Sequence, residues 1–177
     1  MSVAAFAAAE ATWHDFFLAV AGASAALLGL LFVGVSINLA AISGAERVDL
    51  RVRAGQAFGN LNFVLVIALV MLIPDPSPSS IAIALAIVAG LGGIRVVQSV
   101  YAVARGRSPR EGRVATVRRI GWTALADGVL AFTAWRIWSG TDAGVIENLV
   151  TVVIVLMIGS ADVAWAMLVE VSNNAPA

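Results

Sequence analysis

The sequence predicts an all-α, polytopic transmembrane helix bundle of five spans, and three observations predict it. Hydrophobic residues make up 60% of the chain and charged residues 12%, against about 45–50% and about 25% in ordinary soluble domains. The apolar residues fall into long uncharged runs, not the alternating segments of about ten residues that a membrane β-barrel needs. The arginines gather after the first and third runs. A soluble chain of 18.3 kDa has too little interior to hide so much apolar surface. A hydrocarbon core about 30 Å thick takes about 20 helical residues per crossing, so five crossings fit.

The first span is expected over 16–42, a run without charge that Ser43-Gly44 ends. Nothing basic precedes it, and it is longer than the apolar core of a secretory leader. Ahead of it, residues 1–12 are Ala-rich, and Glu10 and His14 stand one helical turn apart. The second span is expected over 54–74. Pro74-Asp75-Pro76-Ser77-Pro78 closes it, since each proline fixes its own backbone and removes a donor. The third is expected over 79–104; it is apolar to Ile94, meets Arg95, and ends before Gly106-Arg107. Ser108-Pro109-Arg110-Glu111 then has the pattern of a helix start, with Ser as the cap and Pro first in the helix.

The fourth span is expected over 120–138 and holds Asp127 and Arg136; Ser139-Gly140 ends it. The fifth is expected over 143–168, capped by Thr141 or Asp142, and holds Glu147 and Asp162. A charge at the bilayer centre costs about 2.5–3.5 kcal/mol on insertion scales. Three spans with a loosely inserted hairpin is therefore the alternative to five.

Charge placement supports five. Arg47, Arg51 and Arg53 follow the first span, and Arg105, Arg107, Arg110, Arg113, Arg118 and Arg119 follow the third. The turns after the second and fourth hold only Asp75 and Asp142. Arginine marks the cytoplasmic side, which puts the N-terminus outside and the C-terminus in the cytoplasm. Trp13, Trp135 and Trp138 then fall at the outer interface, and Tyr101, Trp122 and Trp165 at or near the inner one.

Composition also narrows the chemistry. With no Cys and one His, the chain lacks disulfides, a thiol nucleophile and the ligands of a Cys or His-rich metal site. No phosphate-binding Gly-rich loop or catalytic Ser-His-Asp pattern is present. No cofactor, metal or catalytic activity is expected. A net charge of +0 without a basic domain argues against nucleic acid.

The candidate site is a set of charges inside the membrane. At 1.5 Å per helical residue, Arg95 lies about 24 Å below the outer boundary and Asp162 about 28 Å below it, while Asp127 lies about 10 Å above the inner one. Gln98 and Ser99 share the Arg95 face. Two acids beside one arginine leave one of them able to hold a proton. Three readings stay open: a structural ion pair, snorkelling of Arg95 to the headgroups, and an element of proton or cation transport. Asn60, Asn62 and Asn38 extend the candidate polar network, with Gln56 on the Asn60 face and Asn62 on nearly the opposite one. Arg136 and Glu147 flank a short turn and can form an outer clasp. Small-residue pairs such as Ala25 with Gly29 and Ala89 with Gly93 allow close helix approach. The cluster Gly90, Gly92 and Gly93 invites a kink.

Trp13-His14-Asp15-Phe16-Phe17, a Gly/Ala-rich stretch, and Leu30-Leu31-Phe32-Val33-Gly34-Val35-Ser36-Ile37-Asn38-Leu39 together resemble a family of small multi-span membrane proteins of high-GC bacteria. The resemblance covers residues 13–39 and implies a bacterial plasma membrane location, with no catalytic residues to carry over. The expected function is association through helices, as a structural or regulatory subunit, with the lipid bilayer and a second copy or another membrane protein as partners. The alternative is a small homo-oligomeric channel or transporter for an ion or proton.

Overall fold

The structure, a computed structural model, describes residues 3–37, 48–74, 77–105, 113–140 and 144–173. These form five helices: α1 (Val3–Ile37), α2 (Val48–Met71), α3 (Pro78–Ala104), α4 (Arg113–Trp138) and α5 (Val145–Asn173). Local signals account for several ends. Ser77 caps α3 from an extended backbone, its Oγ accepting from the Ser80 N–H at 3.1 Å, with Pro78 as the first helical residue. Beyond α4, Gly140 takes φ 77°, which suits a residue without a Cβ, and donates its N–H to the Ile137 carbonyl at 3.1 Å.

α3 packs most extensively against α4, and α1 against α2; α2 also packs on α5, and α5 on α4. A thinner contact between α2 and α3 closes α2 to α5 into a four-helix ring, with α1 outside it. The inward stripe of α2 is Ala57, Leu61, Val64, Ala68 and Met71, all buried. Their spacing of four, three, four and three residues is that of helices crossing at a shallow angle. On α1 the matching stripe is Phe17, Ala21 and Ser24, all buried, continued by half-buried Leu28, Leu31 and Val35. The short links at 72–77 and 139–144 define one end of the bundle, here the hairpin end. The other end, where α1 joins α2 and α3 joins α4, is flanked by nine of the eleven arginines and is here the arginine end.

Four helices are long and apolar enough to cross a membrane, over Ala4–Ile37, Ala54–Met71, Pro78–Tyr101 and Val145–Asp162. The exposed surface is apolar as well, with Leu30, Phe32, Ile87, Leu91 and Trp165 all more than half exposed. A soluble domain does not leave so many large side chains in water. These features are those of a helical membrane protein. α4, which holds Asp127 and Arg136, is not among the four.

The helices also refine the expected elements. The Ala-rich segment ahead of residue 16 is part of α1, and Phe6 within it is 1% exposed and belongs to the core. Ala followed by Ala is the best helix former available, so the helix does not wait for the apolar run. α3 stays helical through Gly90, Gly92 and Gly93. Asn38 lies outside the described residues.

Candidate functional site

The four-helix ring holds a small cavity about midway along its described length. α2 contributes Asn60 and Phe63, α3 Gly92 and Arg95, and α4 Thr123 and Asp127; Leu130, Val152 and Leu156 close it on the apolar side. Two of the three charges expected to cluster are therefore brought together. Arg95 and Asp127 are both half-buried and face the same space.

Each charged head rests on a glycine of a neighbouring helix. The Arg95 guanidinium lies against Gly59 of α2, where an added Cβ would overlap it. The Asp127 carboxylate lies against Gly92 of α3 in the same way, whereas a Cβ added at Gly93 would meet it only at ordinary contact distance. The two glycines let the polar heads approach backbone that any other side chain would shield. Arg95 is also held from above: its Cζ stands 5.1 Å from the centroid of the Phe63 ring. Such a cation–π contact contributes about 0.5–2 kcal/mol, more where water is scarce. α2, α3 and α4 are thus tied together at one level.

The space left between these groups is about 20 Å³, measured as the volume open to the centre of a water. That is about the size of one water; Arg95, Asp127, Asn60 and Thr123 are the polar residues of a lining whose open surface is mostly apolar. The other buried hydroxyls nearby satisfy themselves. Thr133 Oγ1 donates to the Val129 carbonyl at 2.7 Å, and Ser160 Oγ to the Leu156 carbonyl at 2.7 Å. Ser24 Oγ and Gln56 Oε1 are buried without a hydrogen-bond partner.

The remaining candidates lie elsewhere. Asp162 is exposed on α5 and does not line the cavity, and Gln98 and Asn62 are exposed on α3 and α2. Ser99 Oγ donates to the Arg95 carbonyl at 2.8 Å, so it serves the helix backbone. Arg136 is half-buried, its guanidinium 6.0 Å from the Phe132 centroid, and Glu147 is exposed in the first turn of α5, where the helix dipole favours an acid. Gly59 and Phe63 were not singled out from sequence. The usable signal was a glycine one residue before an asparagine inside an apolar helical run, since such a glycine marks a close approach. Among the described residues, no group of three or more His, Cys, Asp or Glu could hold a metal ion.

The chain matches no family model, no curated protein and no solved structure.

Proposed function

We propose that this chain is a five-span protein of the bacterial plasma membrane, with its N-terminus outside and its C-terminus in the cytoplasm. It acts by helix association, as a structural or regulatory subunit, without catalysis. The observation that carries this reading is the double seat of Arg95 on Gly59 and Asp127 on Gly92. A charge placed in lipid is costly, and pairing it inside a bundle turns that cost into a preference for one helix arrangement. The partners of such a bundle are the bilayer and a second copy or another membrane protein.

The fifth crossing, α4, is supported by the division of its faces. Trp122, Leu125, Phe132 and Trp135 are exposed, while Asp127 and Arg136 are half-buried. A helix that turns apolar side chains outward and charges inward can cross lipid despite its two charges. Orientation rests on the positive-inside rule.

The test is crosslinking in native membranes together with flux measurements in sealed liposomes. The expected result is a crosslinked species of fixed mass and an ion leak no greater than that of empty liposomes. A pH-dependent flux abolished by Asp127→Asn would overturn the reading. It would favour the second one, a proton or cation transporter, which has one observation in its support: room for a water beside Asp127 and Arg95.

A further inference from the structure

The outward face of α5 carries an acid within its apolar length. Glu147, Thr151, Ile154, Ile158, Asp162 and Trp165 are all exposed and follow one another at steps of three and four residues, so they form one stripe along the helix. Asp162 does not close the apolar run. Seven more apolar residues, 163–169, separate it from Glu170. Acids in spanning helices ordinarily pair or face the bundle interior, because one turned toward lipid is costly. Asp162 is exposed, and among the described residues none forms an ion pair with it.

α3 stands across the ring from α5 and has an outward stripe of its own. Ile87, Leu91, Ile94, Gln98, Tyr101 and Arg105 are exposed along it, apolar first and polar in the last two turns. The Arg105 Cζ lies 4.2 Å from the centroid of the Tyr101 ring. This cation–π contact holds the charged head at the level of Tyr101. Arg95 of α3 and Leu156 of α5 line the same cavity, which fixes the two helices in register. Tyr101 is six residues beyond Arg95, and Asp162 six beyond Leu156, both toward the arginine end. Each therefore lies about 9 Å past the cavity at 1.5 Å per residue. Copies of one chain in a membrane share one orientation, so only groups of equal depth can meet between them. The exposed acid of α5 and the exposed base of α3 satisfy that condition.

We propose that the chain associates head to tail with a second copy, the α5 stripe of one lying on the α3 stripe of the next. The Asp162 carboxylate accepts from the Arg105 guanidinium and the Tyr101 hydroxyl, and Ile154 meets Ile94 one level nearer the hairpin end. This rests on the association reading and names its partner. The two stripes differ, so the contact is heterologous: every copy uses both, and the copies join in a ring or a row. Two α5 stripes face to face would set Asp162 against Asp162, which like charges oppose.

The chain has no cysteine, so a pair of introduced ones reports the contact. Ile158→Cys in one tagged copy and Val97→Cys in another lie on the two stripes at equal depth, at positions 58% and 67% exposed, and leave Asp162, Tyr101 and Arg105 in place. Coexpressed in bacterial membranes and oxidised, the two should form a mixed disulfide dimer, and neither should do so alone. Arg105→Glu in the Val97→Cys copy should cut the mixed dimer about tenfold, since like charges then face each other across the contact. Adding Asp162→Arg to the Ile158→Cys copy should restore it, which also shows that the loss was not misfolding. An Ile158→Cys self-dimer in place of the mixed one would overturn the head-to-tail contact. A mixed dimer indifferent to both charge changes would overturn the pairing and leave the charges to lipid phosphate. Subunit counting of the wild type by stepwise photobleaching separates the two readings. Wild-type oligomers without the mixed dimer overturn this interface and leave association standing, whereas a monomer that retains no other membrane protein overturns both.

Discussion

Gly92 and Gly59 do the same job for unlike side chains, and that difference sets the cost of changing them. A Cβ at Gly59 meets the far end of a long arginine, which can swing aside. A Cβ at Gly92 meets the carboxylate of an aspartate, which has one carbon of reach. Gly92→Ala should therefore destabilise by about 1–3 kcal/mol, the usual cost of overpacking, and Gly59→Ala by clearly less. Thermal denaturation in detergent measures both. In an Asp127→Ala background the cost of Gly92→Ala should largely vanish, because the overlapping partner is gone. Equal costs in both backgrounds would show that the carboxylate is not what Gly92 accommodates.

The same scale separates the two acids. Asp127→Ala removes the carboxylate that shares the cavity with half-buried Arg95, and should cost less than the roughly 3–5 kcal/mol of a fully buried pair. Asp162 is exposed, and Asp162→Ala should fall within about 0.5 kcal/mol of wild type. Non-additive losses in the Arg95→Ala and Asp127→Ala cycle would measure their coupling. The charges were legible in the sequence because an apolar run makes any charge conspicuous. Their partition was not. Asp127 and Asp162 sit in similar surroundings by composition, and only the direction each helix face takes decides which of them meets Arg95. Gly59 was harder still, since a glycine carries no chemistry until another helix lies against it.

Among the helices, α4 is the informative one. Its hydropathy is diluted by Asp127 and Arg136, so a measure that averages over the helix passes it by, while the separation of its faces favours a crossing. Labelling of the links before α4 tests the orientation from which it would start its crossing. With single cysteines introduced at Val3, Pro76, Val48 and Ser108, an impermeant thiol reagent on intact cells should reach the first two and not the last two. Labelling at Ser108 would overturn the orientation. The start of α3 was legible to within one residue: the run expected from 79 begins at Pro78, which Ser77 caps. The start of α1 was obscured because alanine is both an excellent helix former and only weakly apolar, so hydropathy and helicity part company over residues 3–15.

For the whole molecule, a ring filled by Ile67, Met71, Leu85, Leu130 and Leu149 should pass no current as a single copy. Planar bilayers holding the purified protein should show no unitary events across neutral pH. Events in the wild type would require a path between copies. The membrane class was legible from composition alone, because a bilayer reads average apolarity and needs no particular contact. The arrangement of the ring was not, since helices of similar apolarity can pack in several orders until a charge and a glycine choose among them.

The length of α1 has a consequence for the lipid around it. Its uncharged part, the 22 residues over 16–37 that follow Asp15, measures about 33 Å along the helix at 1.5 Å per residue, whereas the 18 of α2 measure about 27 Å by the same rise. Tilted by about 20°, the average for spanning helices, α1 covers about 31 Å and matches the hydrocarbon thickness, while α2 falls short of it by about 3 Å even when upright. The apolar belt of this protein is therefore uneven in height. Acyl chains beside α2 are compressed more than those beside α1. Two copies that meet on the α2 side share one thinned zone instead of making two, and the pull between them strengthens as the surrounding membrane thickens.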